Sequence, residues 1–173
     1  MVKGLTLVNT GSGKGKTTAA LGVVARALGH DQKVAFIQFI KCQDTGESQF
    51  LSELARNRPE RFCFSRHGQG FVGRNPSTAD RELAEEGLRL ARSLAEDYDL
   101  LVLDEINVVL SLGLLEPSEV AEFIQNRPEK LNLVLTGRGC PAKIIELADT
   151  VTEMKEIKHA FRAGIPARPG VDY

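Results

Sequence analysis

Residues 5–18 read L-T-L-V-N-T-G-S-G-K-G-K-T-T, and this stretch decides the fold. Leu5 to Val8 is a short apolar run of strand type. Gly11, Gly13 and Gly15 follow, and from Thr17 to Leu28 the chain turns rich in Ala, Leu and Val before stopping at Gly29. Strand, glycine loop and helix in that order make a cradle for a phosphate chain. The glycines let successive backbone N–H groups point inward, and the helix N-terminus adds a partial positive charge. The expected triphosphate-binding residues are therefore Gly11, Ser12, Gly13, Lys14, Gly15, Lys16, Thr17 and Thr18. Lys16 supplies a mobile cation. Thr17 offers a hydroxyl to Mg²⁺, a hard ion that takes oxygen ligands beside phosphate. The full pattern G-x-x-x-x-G-K-[ST] asks for glycine at position 10, where this chain has Thr10.

Outward from the loop, short apolar runs alternate with helix-like stretches. Lys33 to Ile40, Phe62 to Ser65, Leu100 to Leu103, Leu131 to Leu135 and a short segment around Val151 read as further strands. Ser48 to Arg56, Ser77 to Glu96, Glu116 to about Asn126 and Pro141 to Ala148 read as helices. Ser77 or Thr78 can cap the longest of them, and Pro141 suits a first helical position. On that longest helix Leu83, Leu90 and Leu94 share one face, while Arg81, Glu85 and Arg89 lie on another. Continuous apolar strands separated by helices predict a mostly parallel sheet covered on both faces. The expected fold is a three-layer α/β domain, single over residues 1–173, with no linker or repeat.

The strand L-L-V-L at 100–103 ends in Asp104 and Glu105. An acid at the end of an apolar strand places a carboxylate near a phosphate loop, where it can hold Mg²⁺ or its water shell. Thr17, Asp104 and Glu105 are thus the candidate metal ligands, and Lys16, Thr17 and Glu105 the candidate catalytic groups. A nucleoside triphosphate with Mg²⁺ does not name a reaction. Water activated by Glu105 would give an ATPase and a hydroxyl acceptor a kinase. A nucleophile attacking the ribose 5′ carbon would give nucleosidyl transfer with triphosphate as leaving group. A non-catalytic binding module is a further alternative.

A second glycine run, G-Q-G-F-V-G at 68–73, matches the spacing of a dinucleotide fingerprint. That fingerprint needs its last glycine to enter a helix directly. Here Arg74-Asn75-Pro76 intervenes, so the run reads instead as a loop presenting Phe71.

The bulk composition is that of an ordinary globular protein. Net charge is −1, which gives no general attraction for nucleic acid or an anionic membrane. The apolar runs are strand-sized, and no signal peptide is expected from the first ten residues. Cys42, Cys63 and Cys140 are far apart and in no C-x-x-C arrangement, which favours a reducing cytoplasm over a disulfide framework.

Taken in order, T-G-S-G-K-G-K-T-T (10–18), Q-F-I-K (38–41), G-E (46–47), G-Q-G-F (68–71), L-D-E-I-N (103–107), L-T-G-R (135–138), A-D-T-V-T-E-M (148–154) and K-H-A-F-R-A-G-I (158–165) resemble the P-loop ATP:corrinoid adenosyltransferases. The resemblance runs from about residue 5 to the last residue. It implies a RecA-like P-loop NTPase fold and a homodimer. It implies transfer of the 5′-deoxyadenosyl group of ATP to the cobalt of a reduced corrinoid, cob(I)alamin or a precursor, in cobalamin synthesis or salvage. ATP, Mg²⁺ and a corrinoid are the implied ligands, and a reductase or reduced flavoprotein the implied electron donor. Thr17 and Glu105 would serve Mg²⁺ with Asp104 supporting. Arg26 matches a nucleotide-contacting arginine, or is an exposed helix arginine. Arg138 would contact phosphate or corrinoid, or form a structural ion pair. Phe71 would press on the corrin, or is structural. Many members read G-F-T-W in this loop, whereas this chain reads Gly70-Phe71-Val72-Gly73 and has no tryptophan. The P-loop starts ten residues into the chain, which leaves no room for the N-terminal helix many members carry.

Overall fold

In a computed structural model, which describes residues 3–70 and 76–173, the glycine loop sits where strand and helix predict it. Strand β1 (Thr6–Thr10) leads through the loop into helix α1 (Lys16–Gly29). There follow β2 (Val34–Phe39), α2 (Gly46–Asn57), β3 (Phe62–His67) and α3 (Thr78–Leu94). The second half holds β4 (Leu100–Asp104), α4 (Ile106–Ser111), α5 (Pro117–Asn126), β5 (Asn132–Thr136), α6 (Ala142–Leu147) and β6 (Thr150–Glu153). The strands form one sheet in the order β3-β2-β4-β5-β1-β6. Every pairing is parallel, so the sheet is parallel throughout rather than mostly.

Parallel strands need helical crossovers, and these put a core on each face. One core gathers Ile37, Phe39, Leu88, Leu101, Leu103, Ile106 and Ile124. The other gathers Ala20, Val24, Phe36, Leu51, Phe62 and Val102 under α1 and α2. Strand β2 is buried along its whole length and β4 likewise, as their unbroken apolar sequences require. Strand β6 is the exception. Its four residues are exposed at the sheet edge, so the expected cover on both faces stops short of it.

Two local expectations are corrected, at Pro141 and after β4. Helix α3 buries Ala84, Gly87, Leu88 and Ala91 most deeply, while Leu90 and Leu94 of the apolar face pack half-buried against the same core. Small residues win because the helix lies close on the sheet: a Cβ on Gly87 would stand 2.6 Å from Cε1 of Phe39. Pro141 is the N-cap of α6 rather than its first helical residue. Helix α4 follows β4 with no loop, where only a strand end was expected. Ser77 caps α3, accepting from the amide of Asp80, whose carboxylate accepts from the Ser77 amide in return.

Candidate active site

The loop after β1 closes against the chain leaving β6. Gly11 takes a left-handed φ of 96°, and a Cβ there would lie 2.4 Å from the Met154 carbonyl oxygen. The Gly13 amide donates to that same oxygen at 2.7 Å. Glycine is thus needed at position 11, and Thr10 completes β1 as an ordinary strand residue. The departure from the loop pattern at position 10 is absorbed in this way.

Lys16 turns its ammonium back into the loop, donating to the carbonyls of Gly11 at 2.9 Å and Gly13 at 2.6 Å. Burial, then the nearby Arg138, lowers its pKa from the ordinary lysine value, against the pull of Glu105 and Asp104. Phosphate oxygens arriving in the loop can take over the bonds that the two carbonyls now supply.

Below Thr17 lies a group of oxygens. The Thr17 hydroxyl donates to Oδ1 of Asp104 at 2.8 Å, and Thr136 donates to the same oxygen at 2.7 Å. Gln38 Nε2 donates to Oδ2 at 3.0 Å. Asp104 is fully buried, held by strands on both sides of β4: the register pairs it with Gln38, and Thr136 ends β5. Glu105 is held differently. It adopts a left-handed φ of 65° as the N-cap of α4, and its amide donates to Thr136 Oγ1 at 2.9 Å. This turn separates the two carboxylates. Asp104 points under the P-loop, while Glu105 lines the open mouth.

Lys41, not expected at the site from the sequence, reaches both. Its ammonium stands 3.2 Å from Asp104 Oδ2, 3.4 Å from Glu105 Oε1 and 3.2 Å from Thr17 Oγ1. Burial alone would lower its pKa, but Asp104 and Glu105 together outweigh that and raise it. The available signal was positional: Q-F-I-K ends a strand at the ligand-binding edge of a parallel sheet.

These groups open into a mouth of about 660 Å³, lined by Gly13 to Thr18, Leu21, Ile40, Lys41, Glu47, Glu105, Val108, Arg138 and the segment Gly170–Tyr173. That segment touches the cradle directly, because Lys14 pairs with Asp172 and donates to the Val171 carbonyl at 3.4 Å. Arg138 is exposed beside the mouth and forms no ion pair among the described residues. Arg26 is not brought to the site. It lies exposed in the last turn of α1, ten residues beyond Lys16 and hence about 15 Å along the helix axis. Phe71 lies outside the described residues. Ser12 is exposed on the loop but does not line the mouth.

Along its sequence, the chain matches the family profile described as ATP:corrinoid adenosyltransferase BtuR/CobO/CobP over residues 2–173. The chain belongs to the ATP:corrinoid adenosyltransferase family. That family's activity is the ATP-dependent adenosylation of corrinoids. Among curated relatives, a corrinoid adenosyltransferase of Pseudomonas aeruginosa is 46% identical over 178 residues, covering 99% of this chain and 84% of the relative. The corrinoid adenosyltransferase of Escherichia coli K12 is 38% identical, covering 99% and 86%. The corrinoid adenosyltransferase CobA of Salmonella typhimurium is 39% identical, with the same two coverages. Among solved structures, the KaiC-like protein PH0186 of Pyrococcus horikoshii superposes with a TM-score of 0.58 at 18% identity, over 90% of this chain and 75% of that one. That likeness shows the RecA-like fold and nothing more.

Among the described residues no three or more His, Cys, Asp or Glu side chains gather as a metal site. Nor is any helix among them long and apolar enough to cross a membrane.

Proposed function

We propose that this adenosyltransferase, acting as one domain, binds Mg·ATP in the mouth and presents C5′ to the cobalt of a reduced corrinoid. The Co(I) electron pair forms the cobalt–carbon bond. The C5′–O bond breaks with its electrons going to oxygen, and triphosphate leaves. Cobalt(I) is a strong nucleophile in itself, so no serine, cysteine or lysine nucleophile is needed. The protein's work is alignment and stabilisation of the departing charge. The observation that carries this reading is the convergence of Lys16, Thr17, Glu105 and Arg138 on one mouth in a chain of this family.

The residues fit a small divalent cation. The donors are the Thr17 hydroxyl and the Asp104 and Glu105 carboxylates, all hard oxygen, and a cationic ammonium already stands among them. Thr17 and Glu105 would hold Mg²⁺ with Asp104 orienting Thr17, the remaining ligands coming from phosphate and water. The ion would neutralise charge on the triphosphate. Lys16, released from its carbonyls, would hold the departing phosphates, and Arg138 would meet phosphate or corrinoid at the rim.

A homodimer is supported by the exposed edge strand β6 and by Ile157 and Phe161 standing exposed just beyond it. A cytoplasmic setting agrees with three free cysteines; a reductase or reduced flavoprotein would supply the electron.

Anaerobic incubation with ATP, Mg²⁺ and chemically reduced cob(I)alamin tests the reaction. Light-sensitive adenosylcobalamin with stoichiometric triphosphate is the expected product. Phosphate release without corrinoid would mark an ATPase instead. Lys16→Ala should lose about a hundredfold in turnover or more, and a normal rate would remove the cradle from the mechanism.

A further inference from the structure

We propose that Lys41 is a built-in place-holder for the divalent cation: its ammonium fills the oxygen cluster of Thr17, Asp104 and Glu105 until metal and triphosphate arrive together and displace it. The proposal rests on the reading of Thr17 and Glu105 as the cation's ligands with Asp104 orienting Thr17, and it adds how the site is kept before loading and what opens it.

The geometry is that of a cation surrounded by donors. Lys41 Nζ lies within 3.4 Å of one oxygen from each of the three residues. Two carboxylates facing one pocket repel unless a positive charge stands between them. A metal ion held by Thr17 and Glu105 would need oxygens that the ammonium now occupies, so the two cations could not share them. Loading is therefore an exchange of one cation for another.

The backbone is arranged to make Lys41 reach this point. Ile40 adopts a left-handed φ of 67°, a conformation that a β-branched residue avoids. The strain bends the chain sharply at the end of β2, with the Lys41 amide donating to the Phe39 carbonyl at 2.7 Å. Both sides of Ile40 are tied to the next loop: its amide donates to the His67 carbonyl at 3.1 Å, and its carbonyl accepts from the Gly70 amide at 2.9 Å. Gly68 packs so closely that a Cβ there would lie 2.2 Å from the Ile40 carbonyl carbon. Of the three described non-glycine residues with positive φ, two, Ile40 and Glu105, flank this cluster. Strain held in place by its surroundings and concentrated at one site is the pattern of a functional constraint.

Displacement has an outlet. The Lys41 side chain is 31% exposed and the residue lines the mouth, so its flexible stem can swing toward an incoming triphosphate. Metal alone offers the ammonium no new partner. Metal with triphosphate does. The free protein should thus bind a divalent cation poorly and take it up only with the phosphate chain.

Mn²⁺ binding, followed by electron paramagnetic resonance in the absence of corrinoid, tests this. Without triphosphate, the native protein should bind Mn²⁺ weakly, and Lys41→Met should bind it at least about tenfold more tightly, because the carboxylates lose their resident charge. Lys41→Arg should return to weak binding, and Asp104→Asn in the Lys41→Met background should cancel the gain. Adding inorganic triphosphate should raise Mn²⁺ affinity more in the native protein than in Lys41→Met. Equal Mn²⁺ affinity in the native protein and in folded Lys41→Met overturns the place-holder. Should Lys41→Met not fold, Lys41→Gln carries the same comparison. If neither protein binds Mn²⁺ even with triphosphate, the ligand assignment itself is wrong and the proposal falls with it.

Discussion

Asp104 accepts four hydrogen bonds, from Thr17, Thr136, Gln38 and Lys41, and no part of it meets solvent. Its neighbour Glu105 is met, among the described residues, only by the ammonium of Lys41 and looks into the mouth. Adjacent acids in the chain are therefore placed differently: one fixes the P-loop hydroxyl and the strand ends, the other faces the mouth. Asp104→Asn should lower the unfolding free energy by about 1–3 kcal/mol, since buried donors lose their acceptor. Glu105→Gln should leave the urea midpoint near the native value while cutting turnover by about tenfold or more. Equal losses of stability in the two variants would refute this division. The cysteines make a second residue-scale case. Burial pushes the Cys140 thiol up to about 11 and raises that of Cys63, with Tyr98 opposing in the second case, whereas Cys42 is exposed. At pH 8 roughly one Cys140 in a thousand is thiolate, the form that reacts. Ellman's reagent should therefore titrate one fast thiol in the native protein and three in urea. A fast second thiol would show that the sheet-helix seam near Cys63 or Cys140 opens readily.

At the scale of elements, two glycines in helices have opposite meanings. Gly22 lies exposed on α1 with nothing within 4 Å of a Cβ built on it. A Cβ on Gly87 of α3 would stand 2.6 Å from the ring of Phe39 and 3.2 Å from Cγ of His67. Gly22→Ala should stabilise by roughly 0.5–1 kcal/mol, the difference in helix propensity. Gly87→Ala should destabilise by about 1–3 kcal/mol, because the added methyl forces α3 off the sheet. Denaturant midpoints of the two variants should shift in opposite directions, and shifts of the same sign would mean that α3 does not seat on Phe39. The same pair shows what the sequence discloses. Strand β1, its loop and α1 were legible because apolar pattern and glycines agree locally, although the helix runs through Gly29 and is capped at His30. The deepest line of α3 was not, since Leu83, Leu90 and Leu94, all half-buried, form the more apolar stripe while Ala84, Gly87 and Ala91 lie deeper. Which stripe is buried depends on how closely Phe39 and His67, far away in the chain, allow the helix to approach. Helix α4 was illegible for a similar reason: I-N-V-V-L is rich in β-branched residues, and it is helical through its packing with Ile106, Val109 and Leu110 buried.

Across the whole molecule, the site is assembled from segments that only the fold brings together: the P-loop, the ends of β2 and β4, and the chain beyond β6. Lys16, Thr17, Asp104 and Glu105 could be read in advance because each lies in a local motif. Lys41 could not, because its meaning comes from the register that puts Gln38 beside Asp104. Nor could the return of Asp172 to Lys14, a contact across 158 positions of sequence. The same dependence on assembly gives the protein an expected response to acid. His67, at the end of the edge strand β3, is buried between Phe39 and α3, with Ser65 Oγ 2.9 Å from Nε2 and no hydrogen-bond partner for Nδ1 among the described residues. Burial lowers its pKa from the ordinary 6.5, only partly offset by Glu86, whose carboxylate stands 3.6 Å away. The unfolded chain takes up this proton as pH falls through about 6.5, while the folded chain resists it. The unfolded state then binds more protons, so stability must fall with pH until the folded pKa is reached. Between pH 6.5 and about 5, carboxylates such as Asp80, whose pKa lies below the ordinary 3.8, have not begun to contribute. Urea unfolding of the native protein should therefore lose stability across that window, and His67→Gln should flatten the loss whatever its effect at pH 8. A slope left unchanged in His67→Gln would mean that the imidazole takes up its proton equally in the folded and unfolded protein, Glu86 fully offsetting burial.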